Sequence, residues 1–223
     1  MHNSKQATQA LANTYADCGD PDGWFEEFYA RADGDIRNIY WADLKPNPLL
    51  FDWIDTHPFP DGSSAVVVGC GLGDDAEALD RSGFQVTAFD ISPSAIEMCR
   101  HRFPGSRVRY MVADLFQPPA EYRQSFDLVF ECNTIQILTG ANRNRALLAI
   151  VDLVGPGGQV VVSCRSRNHE EGWDQFPVAL DRAEIDGFVH AGLQETHFHA
   201  YDDDQDPPVP HYFAVYTRAP DLS

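Results

Sequence analysis

From Ser64 onward the chain alternates short apolar runs with helix-period segments, and that alternation restricts the fold more than any other feature. Residues 65–68, 85–89, 108–112, 126–131 and 159–164 are rich in Val, Phe and Tyr and read as strands. Between them, 74–81, 92–102 and 141–154 carry helical periodicity. The second of these opens with Ser92-Pro93, an N-cap followed by proline at the first helical position. Strand–helix–strand repetition requires right-handed crossovers, and hence a parallel sheet buried on both faces. After a helix over 183–191, stopped by Gly192, strand-like runs at 195–201 and 212–218 follow with no helix between them. They are expected to pair as an antiparallel hairpin, completing an α/β, Rossmann-like doubly wound sheet. Their connection carries Asp202, Asp203, Asp204 and Asp206, then Pro207 and Pro208. It reads as a solvated, proline-stiffened loop, and Asp203 is expected to contribute little to ligand binding.

Residues 1–60 have a different texture. Trp24, Phe25, Phe28 and Tyr29 make a wide apolar helical face, and Leu49, Leu50, Trp53 and Ile54 repeat that spacing after Pro48. The expected organisation is therefore an N-terminal helical segment over 1–60, serving as core packing or as a lid, and a ligand-binding domain over 61–223. Hydrophobic residues make up 43% of the 223, enough for a full core. The formal net charge of −18 opposes nucleic acid and anionic membranes as partners. No apolar run is long enough to span a bilayer, and Met1–Gln6 lacks an apolar signal core, which sets the expectation of a cytoplasmic protein. Cys18, Cys70, Cys99, Cys132 and Cys164 form no C-x-x-C pair, so neither a disulfide framework nor a metal site is indicated.

Ligands of an open parallel sheet sit at the carboxyl ends of its strands, which directs attention to the first strand-to-helix turn, Gly69-Cys70-Gly71-Leu72-Gly73. A dinucleotide fingerprint G-x-G-x-x-G needs its third glycine at position 74. Asp74 stands there, with Asp75 beside it, and two carboxylates oppose a doubly charged pyrophosphate. S-adenosylmethionine has no phosphate and carries a net positive charge, so the same acids are tolerable beside it.

At this point the chain resembles the class I S-adenosylmethionine-dependent methyltransferases. "VVVGCGLG" matches their G-x-G-x-G motif, Asp90 in "VTAFDIS" their acidic residue after the second strand, Asp114 in "VADLF" the position after the third, and "LVGPGGQVVV" the turn into the fifth. The resemblance runs from about Pro60 to Arg218 and implies a seven-stranded sheet closed by the terminal hairpin. It implies S-adenosylmethionine as cofactor, with the ribose on Asp90 beside Ile91, the adenine near Asp114 and Leu115, and Gly69, Cys70, Gly71, Gly73, Asp74 and Glu131 around the remainder. More loosely, "YWADLKPNPLLFDWI" is similar to the N-terminal segment of the thiopurine, thiol and halide methyltransferases, which places Trp41 at the cofactor with Pro46, Asn47 and Pro48 nearby.

The acceptor is expected against Trp24, Tyr29, Cys132, Asn133, Gln136 and Arg165. The stretch after the fourth strand, "ECNT", departs from the Asn/Asp-Pro-Pro-Tyr/Phe of enzymes that methylate amino groups of nucleobases or glutamine. Cys70, Cys132 and Cys164 all fall at carboxyl strand ends, a feature shared with arsenite methyltransferases; free cysteine is as often a small hydrophobe. His169, His197, His199 and His211 show no metalloprotease spacing, and His197 and His199, on one face of a strand, are read as structural. With no evident histidine base, a soft nucleophile such as a thiol is the first expectation for a small-molecule acceptor. An oxygen or nitrogen acceptor in a natural product, or a non-catalytic binder of the cofactor, stands as the alternative.

Overall fold

The computed structural model describes residues 2–20, 22–168 and 176–221. A seven-stranded sheet runs through the molecule in the order β3-β2-β1-β4-β5-β7-β6. Its strands are β1 (Ser64–Val68), β2 (Gln85–Asp90), β3 (Arg109–Val112), β4 (Phe126–Cys132), β5 (Val154–Arg165), β6 (Gln194–Asp202) and β7 (Pro210–Thr217). The first five are parallel, and β7 is antiparallel to both β5 and β6. This is the expected class I methyltransferase architecture: the chain order reverses between β1 and β4, opening a crevice at the carboxyl ends of these strands.

Eight α-helices accompany the sheet among the described residues: α1 (His2–Asp17), α2 (Trp24–Arg31), α3 (Pro48–Thr56), α4 (Asp74–Arg81), α5 (Pro93–Arg102), α6 (Gly140–Leu153), α7 (Arg182–Ile185) and α8 (Gly187–His190). Period-2 alternation divides the strand side chains between two cores. Val66, Val68, Val129, Val160 and Val162 pack with Leu147, Ile150 and Phe188 on the side of α6 and α8. Ala65, Val67, Leu128, Phe130 and Val161 pack with Ile54, Leu79 and Ile96 on the side of α3, α4 and α5. Both faces are covered, which is why the strands read as near-continuous Val-rich runs.

Local caps explain the helix starts. Ser92 Oγ accepts the Ala95 N–H at 3.0 Å ahead of Pro93. Asn47 Oδ1 accepts the N–H groups of Leu49 and Leu50 ahead of Pro48. The helix expected over 183–191 is instead two short helices, because Asp186 is shared as the C-cap of α7 and the N-cap of α8. The fifth strand starts at Val154, earlier than its apolar run suggests, since Gly155 and Gly158 bring its backbone close to that of Phe126.

The N-terminal segment divides by its packing. Leu50, Trp53 and Ile54 of α3 enter the core under the sheet, and Trp53 donates its indole N–H to Gln159 Oε1 at 3.2 Å. Burial of each such side chain contributes about 1.5–3 kcal/mol. By contrast, α2 packs Tyr29 on Leu72, Ala95 and Met98, above the glycine turn and α5. Glu26 fixes it there: its carboxylate accepts hydrogen bonds from Ser92 Oγ (2.6 Å), Ser94 Oγ (2.7 Å) and Ser94 N (3.0 Å). No helix among the described residues is long and apolar enough to cross a membrane.

Candidate functional site

At the carboxyl edge of the sheet lies a cavity of about 860 Å³, bounded below by the strand ends and above by residues 22–49. Its floor is the glycine turn. Gly69, Gly71 and Gly73 all take positive φ (59°, 52° and 84°). A Cβ on Gly69 would stand 2.5 Å from Thr134 Oγ1, and one on Gly73 2.5 Å from the Tyr110 hydroxyl. Side chains are thus excluded at both positions by contact as well as by backbone conformation. The Cys70 N–H donates to Phe89 O at 2.9 Å, tying the turn to the end of β2.

The two carboxylates that follow the turn are accommodated separately. Asp74 accepts two hydrogen bonds of 2.8 Å from the Arg102 guanidinium, so its charge is matched inside the protein. Asp75 accepts the Asn47 N–H at 2.7 Å; burial pushes its carboxyl up to about 6. Both lie in the first turn of α4, where negative charge complements the helix dipole.

Asp90, at the end of β2, accepts Gly71 N–H and Ser92 N–H at 3.0 Å, one on each carboxylate oxygen. Burial raises its carboxyl above the ordinary value. Each oxygen keeps further lone-pair capacity toward the cavity, which Asp90 and Ile91 both line. Asp114 accepts the Phe116 N–H at 2.8 Å, and Leu115 lies beside it on the same wall. Facing them is Asp22, whose Oδ1 is buried without a hydrogen-bond partner. Burial and the nearby Asp114 charge raise its carboxyl.

The roof is aromatic. Trp41 stacks on Phe28 at 3.9 Å and meets the Tyr29 ring edge-on at 5.9 Å. Trp24 stacks on Phe25 at 4.0 Å and meets Phe176 edge-on. Tyr29, expected at the acceptor, sits over the glycine turn: its hydroxyl would be 3.2 Å from a Cβ on Gly71. Helix α2 directs it inward over the glycine turn.

Of the expected site residues, Gly69, Cys70, Gly71, Gly73, Asp74, Asp90, Ile91, Asp114, Leu115, Trp41, Trp24, Tyr29, Cys132, Asn133, Gln136 and Arg165 all line this one cavity. Glu131 does not. It is fully buried beneath the turn after β4, where Oε1 accepts the N–H groups of Thr134 (2.6 Å) and Ile135 (2.9 Å). Alternation along β4 turns it toward α6, and burial pushes it up to about 7. Gln136 is spoken for in part, its Oε1 accepting the Arg165 N–H at 2.8 Å.

Two further expectations change. Cys132 packs among the apolar residues on the α3 side and Cys164 in the opposite core, so these thiols do not converge on one ligand; burial raises both. The acidic loop is not remote: Asp203, Asp204 and Gln205 line the cavity. Because β7 is antiparallel, β6 again runs parallel to β5, and its carboxyl end emerges at the ligand edge. His211, at the start of β7, lines the cavity with them. His169 lies outside the described residues. The signal that could have placed His211 is its register, directly opposite Arg165.

The alternating sheet, the acidic glycine turn and the acid after β2 together define a class I methyltransferase fold with its ligand crevice in the usual place. Residues 65–158 match the Methyltransf_25 family model, a methyltransferase domain, so the chain carries a domain of this S-adenosylmethionine-dependent class. The ubiquinone biosynthesis O-methyltransferase of Azoarcus sp. (strain BH72) is 29% identical over 143 residues, covering 60% of each chain. Its counterpart in Xanthomonas axonopodis pv. citri (strain 306) is 32% identical over 142 residues, 59% of this chain and 58% of that one. The chain thus spans about 60% of the length of the curated relatives it matches. Among solved structures, the Burkholderia thailandensis 1,6-didemethyltoxoflavin-N1-methyltransferase with bound S-adenosylhomocysteine superposes with a TM-score of 0.69, at 15% identity over 87% of each chain. Haemonchus contortus phosphoethanolamine N-methyltransferase 2 in complex with S-adenosyl-L-methionine gives 0.68, at 17% identity over 87% of this chain and 60% of that one.

Proposed function

We propose that the protein is an S-adenosylmethionine-dependent methyltransferase acting on a small molecule. The observation that carries this reading is the charge and shape of the glycine turn. Three glycines clear the floor of a cavity whose walls include Asp22, Asp43, Asp90 and Asp114, with only Lys45 and Arg165 as strong bases among the described residues. That field favours a net cation and opposes pyrophosphate. Bound there, the cofactor supplies a methyl carbon already activated by the adjoining sulfonium.

The chain's own residues bind, orient and exclude water. Asp90 holds the ribose hydroxyls, Asp114 and Leu115 face the adenine, and the backbone of residues 69–73 borders the remainder. Residues 22–49 form the lid, fastened by Glu26 on Ser92 and Ser94 and by Asn47 on Asp75. Asn47 Nδ2 also donates to Ser163 Oγ at 2.9 Å, so the lid reaches the acceptor wall. The names of the relatives and the modest cavity both support a small-molecule acceptor, and the net charge argues against nucleic acid. The reason for preferring a thiol was the lack of a histidine at the site, and His211 removes it.

Thermal unfolding tests the cofactor. S-adenosylmethionine or S-adenosylhomocysteine at 100 times its Kd should stabilise the protein by about 2.7 kcal/mol, and NADH should not. Stabilisation by NADH alone would overturn the reading.

A further inference from the structure

Resting on the methyltransferase reading, we infer that His211 is the general base for a proton-bearing acceptor, an acidic hydroxyl of the phenol type whose developing negative charge lies beside Arg165. The imidazole is oriented by its surroundings. Its Nδ1–H donates to Val209 O at 2.8 Å, which fixes Nδ1 as the protonated nitrogen of the neutral ring. Nε2 then carries a lone pair and has no partner among the described residues. The ring stacks on Tyr201 (5.4 Å between centroids, 23° between planes), and Asp203 Oδ2 lies 3.9 Å from Nδ1. An imidazole held by a carbonyl, backed by a carboxylate and open at its second nitrogen is built to take a proton and stabilise the resulting cation.

Arg165 supplies the complementary half. It is the Cα partner of His211 across the β5–β7 ladder and lines the same cavity. Its backbone N–H is bonded to Gln136, whereas its guanidinium makes no hydrogen bond or ion pair among the described residues. A half-buried cation with no partner among the described residues is unusual in a chain of net charge −18, and Arg165 shares its cavity wall with His211. A hydroxyl placed between the two meets a proton acceptor and a stabiliser of its anion. In the step so assembled, the acceptor oxygen forms the new C–O bond while its O–H proton passes to Nε2. The methyl–sulfur bond breaks with its electron pair going to sulfur. The imidazolium then returns its proton to solvent.

The test compares His211→Asn with the wild-type protein on phenols of graded acidity and on one thiol. Asparagine keeps a donor near Nδ1 but offers no base. For weakly acidic phenols kcat/KM should fall at least 100-fold, whereas a nitrophenol already ionised at the assay pH should lose less than threefold. Affinity for S-adenosylhomocysteine should not change. Should the variant fail to fold, His211→Gln is read in its place on the same acceptors. Equal losses on all acceptors, no loss on any, or wild-type turnover of the thiol alone would overturn the inference. A wild-type protein that binds S-adenosylhomocysteine yet methylates no phenol would overturn it and leave the cofactor reading standing. One that binds neither S-adenosylmethionine nor S-adenosylhomocysteine would overturn both.

Discussion

The two halves of the cavity are built by different means. On the β1–β2–β3 side, the floor is built from strand ends: the glycine turn follows β1, Asp90 ends β2, and Asp114 comes two residues after β3. Asp90 is braced within that edge, by the N–H of Ser92 two residues on and by that of Gly71 in the adjoining turn. On the β4–β5–β7–β6 side, the wall collects Asn47, Asn133, Arg165, Asp203 and His211 from five separate stretches of chain. Its braces are long-range, such as Asn47 on Ser163 and Gln136 on the Arg165 backbone. A wall braced locally tolerates little change in any one residue. A wall assembled from distant loops admits different acceptors without disturbing the sheet, which is how one fold serves many substrates.

The sharpest break in that contrast is Gly73→Val. The new side chain would have to adopt φ of 84° with its Cβ 2.5 Å from the Tyr110 hydroxyl, itself hydrogen-bonded to Glu77 at 2.9 Å and buried. Strain and overpacking together should cost about 3–5 kcal/mol, read by urea unfolding. A loss below about 1 kcal/mol would mean that the turn yields and the local half is less rigid than described.

Asp90→Ala should weaken S-adenosylhomocysteine binding by about 2–4 kcal/mol in calorimetry, through loss of charge-assisted hydrogen bonds. Arg165→Ala, on the other wall, should leave that affinity unchanged and raise the acceptor's KM. If both substitutions weakened the cofactor equally, the division of the cavity would be wrong.

Glu131 lies beneath the acceptor wall and supports a pH test. Burial lifts its folded value to about 7 from 4.5, so the fold favours the protonated acid. The stability this contributes is complete below 4.5 and is lost as pH rises through about 7. Glu131→Gln should therefore gain on the wild-type protein by about 1–3 kcal/mol between acid and alkaline conditions, measured by thermal unfolding at each pH. A pH-independent difference would sink this account.

The smallest effect expected is at the lid. Glu26→Ala removes the hydrogen bonds to Ser92 and Ser94 and should cost about 1–2 kcal/mol of stability, with turnover falling more than cofactor affinity. Burial alone would raise the Glu26 carboxyl, but these bonds bring it below its ordinary value. Its contribution is present above that value and fades as pH falls through the depressed one, so lid closure should weaken in acid. Amide exchange of α2 would report that opening directly.

The sheet and the cofactor wall were legible in the sequence because their determinants are local. Val-rich runs, Ser92-Pro93, and the spacing from Gly69 to Asp90 to Asp114 are set by strand period, capping and turn geometry, each satisfied within a few residues. Glu131, expected at the cofactor, is turned instead beneath the next loop, because alternation along β4 faces it toward α6. Tertiary structure alone decided the rest. Nothing near Asp74 in the chain announces Arg102 as its partner, and nothing near Asn47 announces Asp75 or Ser163. The acidic loop looked solvated because loops of that composition usually are. It reaches the site only because an antiparallel β7 returns β6 to the ligand edge, and the same reversal sets His211 opposite Arg165. Strand order and register fix which distant side chains meet, and they are properties of the assembled sheet that no single stretch of sequence encodes.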